Sequence, residues 1–242
     1  MMTLILSSSP CVPNADRAIL NPANGFVDRL RCALPEEIRC LFICSDPDSY
    51  DLTDSFGSDM AQAFQEAELP FQDFAVLDGR NAEEAAELIA WSNFIILSGG
   101  HVPTQNQFFR DIGLADLMAD YQGVVMGISA GSMNSAETVY AHPELEGEAV
   151  DPDYQRFLPG LGLTFFNILP HFQQWRDNTL DGLRMLEDIA FPDSEGNSFL
   201  LLVDGSYVYC EDGRCEICGE AYSLEDGVFQ QISEEGDIIV LE

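Results

Sequence analysis

Five short apolar runs constrain this chain more than any other feature. They are Thr3–Leu6, Cys40–Cys44, Phe74–Leu77, Phe94–Leu97 and Val124–Ile128. Each is nearly continuous in hydrophobic residues and bounded by Ser, Asp or Gly. Strands that are covered on both faces have this composition, and half-solvated strands do not. Between them lie stretches with helical spacing. Ser58–Ala67 puts Met60, Ala63, Phe64 and Ala67 on one side. Asn81 precedes an acidic first turn, as a helix N-cap does. Gln105–Tyr121 and Ser132–Tyr140 give two more candidate helices. This alternation predicts an α/β fold, a three-layer αβα sandwich around a mostly parallel sheet. From Phe199 onward short strands with Gly-containing turns follow one another, which predicts an antiparallel C-terminal extension of the same domain rather than a second one. Neither a linker nor a repeat interrupts residues 1–242, so a single domain is expected.

Charge removes several functions. The chain carries 42 acidic residues against 10 basic ones, a formal net charge of −32, and every basic residue is Arg. Without lysine there is no Schiff-base, pyridoxal-phosphate or P-loop chemistry. Nucleic acid and anionic membrane surfaces both demand a basic footprint that is missing. The opening MMTLILSSSP has no positive n-region, so no signal peptide is expected, and no apolar run reaches membrane-span length. Seven cysteines, some inside apolar runs, suggest a cytoplasmic protein with mostly reduced thiols. Cys210, Cys215 and Cys218 fit a β-hairpin with an EDGR turn better than a metal site, since a fourth ligand is missing from the local pattern. No metal or cofactor is expected.

The chemistry concentrates in Gly127-Ile128-Ser129-Ala130-Gly131, which follows a buried strand and precedes a helical pattern. A serine on a sharp strand-to-helix turn is exposed, and small neighbours allow the tight passage of the chain. The Ala130 N–H is then directed at the position of a developing oxyanion. Serine needs a base, and the chain offers only His101, His142 and His171. His171 and His101 follow apolar runs, where active groups of parallel sheets collect. His142 sits in the polar segment YAHPE. His171 is the preferred base, and Asp204, after the apolar run FLLLV, is the preferred acid. Gly99 and Gly100, at the end of another strand, are candidates for a second oxyanion donor. Gln105 and Asn106 begin the next helix and suit either substrate contact or capping.

The segments SGGH at 98–101, GISAGSMNSA at 127–136, GLGLTFFNILPHF at 160–172 and VDGS at 203–206 resemble the serine peptidase family of dipeptidase E and cyanophycinase. That family is related in fold to class I glutamine amidotransferases. The resemblance implies a flavodoxin-like sandwich, Ser129 as nucleophile, His171 as general base, Asp204 in the acid position, and an oxyanion hole from Ala130 with Gly99 or Gly100. It departs from the family in His101, where many members have Asn, and in an Asp at 204, where Glu is frequent. A dipeptidase of this type implies an acidic residue for the substrate amine, with Glu144 the nearest match. Preference for an N-terminal aspartate implies a cation, with Arg176 and Arg184 as candidates; His101 is a further substrate-binding candidate. The expected activity is hydrolysis of small peptides. The alternatives are an amidase-type member of the fold, although glutamine amidotransfer uses a cysteine where Ser129 stands, and a non-catalytic binding protein.

Overall fold

A computed structural model of the chain describes residues 2–241. Five parallel strands form the centre of the main sheet: β1 (Thr3–Ser7), β2 (Arg39–Ile43), β3 (Asp73–Leu77), β4 (Phe94–Leu97) and β5 (Val124–Ile128). Their spatial order is β1-β5-β4-β2-β3. Strict alternation divides each strand between two cores. Leu41, Ile43, Ile95, Leu97 and Val125 face one side, with Ile89, Phe108 and Leu114. Cys40, Phe42, Phe94, Ile96, Val124 and Met126 face the other, with Leu30, Met60 and Phe64. These outer residues belong to α1 (Phe26–Ala33) and α2 (Tyr50–Glu66) on one face, and to α3 (Ala85–Trp91), α4 (Val102–Asp111) and α5 (Leu114–Met118) on the other. The fold is therefore an αβα sandwich. Burial of both sheet faces accounts for the continuous apolar runs.

The helices differ from their sequence expectations in four places. α2 starts at Tyr50 rather than Ser58, since the turn Asp46–Ser49, held by the Asp46 carboxylate, launches it earlier. Asn81 does stand at the N-cap of the helical turn Ala82–Glu84 that leads into α3, but its side chain does not cap it: Oδ1 accepts from the Asp78 N–H and Nδ2 donates to the Val76 carbonyl. The stretch 105–121 breaks at Gly113, which adopts φ +65° between α4 and α5. The stretch 132–140 divides into α6 (Ala130–Asn134) and β6 (Thr138–Tyr140), which pairs with β7 (Phe157–Pro159).

The C-terminal strands serve two sheets. β8 (Asn167–Leu169) precedes the short pair β9 (Thr179–Leu180) and β10 (Leu183–Arg184), the helical turn α7 (Phe172–Trp175) lying between. A π-helical turn (Met185–Ala190) and α8 (Phe191–Asp193) lead into β11 (Ser198–Leu202), β12 (Tyr207–Glu211), β13 (Arg214–Cys218), β14 (Ala221–Glu225), β15 (Val228–Ser233) and β16 (Ile238–Leu241). β12, β13 and β16 extend the main sheet antiparallel beyond β1, making eight strands. β15-β14-β11-β8 form a separate sheet in which β8 and β11 run parallel. Cys210 and Cys215 face each other across the β12–β13 hairpin and form a disulfide, while Cys11, Cys32, Cys40, Cys44 and Cys218 remain free, so the thiols are mostly but not all reduced. Among the described residues, no helix is long and apolar enough to cross a membrane.

Candidate active site

The turn after β5 holds Ser129 at φ +49°, ψ −111°, a conformation that costs a non-glycine residue about 1–3 kcal/mol. Its glycine neighbours are dictated by packing. A Cβ on Gly127 would lie 2.7 Å from the Ser132 nitrogen, and one on Gly131 would lie 2.2 Å from the Leu97 carbonyl oxygen. The strained turn is fastened to β1: the Ser129 N–H donates to the Ser7 carbonyl at 3.0 Å, and the Ser132 hydroxyl donates to the same oxygen at 2.8 Å.

His171 and Asp204 arrive from the smaller sheet. They follow β8 and β11, whose parallel register pairs Leu169 with Leu201. The two side chains therefore leave adjacent strand ends on the same side. His171 Nδ1 is 2.6 Å from Asp204 Oδ1, and His171 Nε2 is 2.9 Å from Ser129 Oγ. With Nδ1–H donated to the carboxylate, Nε2 is free to accept the serine O–H. Burial works to raise the Asp204 pKa, but hydrogen bonds from His171, Ser8 and Gln174 outweigh it and hold the carboxyl below its ordinary range. Gln174 Nε2 donates to Asp204 Oδ2 at 2.6 Å, and Gln173 accepts from the Asp204 N–H at 3.1 Å.

Ser8 is a residue that the sequence reading missed. Its Oγ accepts from the His171 N–H and donates to Asp204 Oδ1, both at 2.8 Å. Its place at the carboxyl end of β1, in a run of three serines, was the available signal.

The oxyanion candidates border Ser129. A Cβ on Gly99 would touch Ser129 Cβ at 3.4 Å, and one on Gly100 would overlap the Ser45 side chain at 2.3 Å. Ala130 is the first residue of α6, where the N–H has no intrahelical acceptor. Gln105 and Asn106 are structural: both side chains are buried and bond Asn134, with further bonds to Ser98 and Pro159 carbonyls.

A cleft of about 520 Å³ opens beside Ser129, and Gly100, Glu144, His171 and Trp175 line it. Glu144 is exposed at the cleft mouth; the protein packed around its carboxyl, then the negative charge of Glu148, pushes it up to about 7, against the opposing influence of His171. The other substrate-binding candidates sit apart. His101 is bound between Thr104 Oγ1 and Glu148 Oε1, both at 2.8 Å, and is absent from the cleft wall. Glu148 in turn accepts from the Glu144 and Leu145 N–H groups, so His101 braces the loop that carries Glu144. Arg184 pairs with Asp188 at 2.7 Å, its i+4 neighbour, and lines neither this cleft nor the cavity behind His171. Arg176 lies over the Phe172 ring and lines that second cavity, of about 950 Å³, instead.

The family model for peptidase family S51 matches residues 28–218. Over 100% of this chain and 97% of the other, the fold resembles a peptidase from an acI-B1 Actinobacterium, with TM-score 0.69 and 17% identity. It also resembles a putative peptidase E protein from Listeria monocytogenes EGD-e, with TM-score 0.57 and 14% identity over 96% of this chain and 100% of that one. At these identities the likeness is one of fold. No curated protein matches the sequence.

Proposed function

Because the chain belongs to peptidase family S51 and is a serine peptidase, we propose that it hydrolyses small peptides with a free N-terminus, in the manner of dipeptidase E, through Ser129, His171 and Asp204. The observation that carries this is the pair of contacts at His171, 2.9 Å to Ser129 Oγ and 2.6 Å to Asp204 Oδ1. His171 Nε2 takes the Ser129 proton as Oγ attacks the peptide carbonyl. Backbone N–H groups of Ala130 and of Gly99 or Gly100 receive the oxyanion. His171 then gives its proton to the leaving amine, and a water that it activates cleaves the acyl-enzyme. Asp204 stays ionised throughout and balances the imidazolium. Glu144, in the cleft wall, is suited to hold the substrate's ammonium group. A cytoplasmic site of action belongs to the same reading, supported by the five free thiols.

The test joins a fluorophosphonate probe to a dipeptide panel with free and blocked amines. The expected result is labelling at Ser129, cleavage that vanishes in Ser129→Ala, and loss of cleavage on blocking the amine. Undiminished turnover in Ser129→Ala would overturn the reading.

A further inference from the structure

The cleft beside Ser129 has an unusual polarity. Met133, Leu169, Trp175 and Met185 give it apolar walls. Its one carboxylate is Glu144, and among the described residues no arginine lines it. The chain has no lysine to substitute. Arg156, whose charge reaches His142, lies 3.5 Å from Asp193 and donates from Nη2 to the Ala149 carbonyl at 3.1 Å; its buried Nη1 makes no hydrogen bond, but the residue is absent from the wall. An acidic side chain entering this cleft would lose its water and gain no fixed cation.

The same wall contains His142, only 4% exposed. Its ring lies 4.7 Å from Trp175 and 5.7 Å from Tyr140, between centroids. Its Nε2 is buried and has no hydrogen-bond partner. Buried polar atoms are nearly always paired, so an orphan close to a reactive serine calls for a ligand. Burial lowers the His142 pKa to about 4; a hydrogen bond with the Met185 backbone opposes this and the Arg156 charge assists it. The ring is therefore neutral at physiological pH. Nε2 is the nitrogen left unpaired, and in the neutral tautomer with the proton on Nδ1 it offers a lone pair that only a donor can satisfy.

We propose that this cleft is the acyl-side specificity pocket, that it selects a side chain with a hydrogen-bond-donating, non-acidic tip, and that His142 is the residue that recognises the tip. The carboxamides of asparagine and glutamine fit this description; aspartate and glutamate, of equal shape, do not. The proposal rests on the peptidase reading above and names the substrate class for the same site.

Isosteric pairs decide it. With purified enzyme, kcat/KM for Asn-Leu is expected to exceed that for Asp-Leu at least tenfold, and Gln-Leu likewise to exceed Glu-Leu. His142→Phe keeps the ring stack and removes the nitrogens; it is expected to lower the Asn-Leu to Leu-Leu ratio about tenfold. Labelling of Ser129 in that variant at the wild-type rate shows that the site is intact. Should the variant fail to fold, protection of wild-type Ser129 from the probe decides, with asparagine amide expected to protect at least tenfold better than aspartate amide. Equal or better use of Asp-Leu overturns the proposal and directs attention to Arg156. An unchanged Asn-Leu to Leu-Leu ratio in His142→Phe overturns the role of His142. If Ser129 does not react with the probe at all, the peptidase reading fails separately. Trp175 fluorescence, titrated with the two amides, then still measures the preference of the pocket.

Discussion

The Ser8 hydroxyl links the backbone of His171 to the carboxylate of Asp204, accepting from one and donating to the other at 2.8 Å. It fixes the αL backbone of His171, at φ +57°, against the acid that orients its ring. Ser8→Ala is therefore expected to lower kcat by roughly 10- to 100-fold, the loss of a hydrogen bond to a charged group, with little change in KM. Steady-state kinetics on any cleaved dipeptide measure the split, and a loss confined to KM would contradict it.

A Cβ on Gly127 or Gly131 would lie within 3 Å of backbone atoms, so the Ser129 turn requires glycine at both. Alanine at either position has to displace main chain, which costs about 1–3 kcal/mol of stability. Urea unfolding followed by fluorescence gives the loss directly. Gly147→Ala, where a Cβ meets nothing within 4 Å but φ is +98°, separates the steric cost from the cost of backbone strain.

Glu144 ionises late, its pKa raised to about 7 by partial desolvation at the cleft mouth and by Glu148. Only the carboxylate attracts an ammonium group, so KM for free-amine dipeptides is expected to fall as pH rises through about 7. In Glu144→Gln that dependence disappears, and KM above pH 7 rises about tenfold. A pH profile of KM for both proteins is the measurement. Stability moves the other way: an unfolded Glu ionises near 4.5, so the raised folded pKa works against the folded state as pH climbs from 4.5 to 7.

His142 makes the fold acid-sensitive. The unfolded chain protonates it near 6.5 and the folded one near 4. Between those values the unfolded state binds more protons, so stability declines as pH falls from 6.5 towards 4. The full loss from this one group is about 3 kcal/mol. Urea midpoints at pH 7 and 4.5 test it; His142→Phe is expected to flatten the difference.

Much of this was legible in the sequence because its causes are local. The five parallel strands appear as apolar runs since both of their faces are covered; β4 and β5 keep their expected bounds, and those of β1, β2 and β3 move by one residue. The Ser129 turn was legible because tight passage admits only small neighbours. A chain with three histidines left few choices of base. What escaped depends on distant partners. Ser8 acts on residues 163 and 196 positions away. α6 ends early because the carbonyls of Asn134, Ser135 and Ala136 accept from the distant N–H groups of Leu161, Leu163 and Gly162 respectively. His142 looked like part of a polar surface loop, and only the packing of Tyr140 and Trp175 around it removes it from water.

The proposed nucleophile, Ser129, hangs from one sheet and its proposed base, His171, from another. The serine belongs to the rigid centre of the eight-stranded sheet, while His171 and Asp204 ride on the four-stranded one. A slip of about 1 Å along the seam would disconnect the relay with every strand still intact, and displacements of that size cost roughly 100-fold in rate. Turnover thus works as a gauge of how the two sheets are aligned, and gentle warming should silence the enzyme before it melts it.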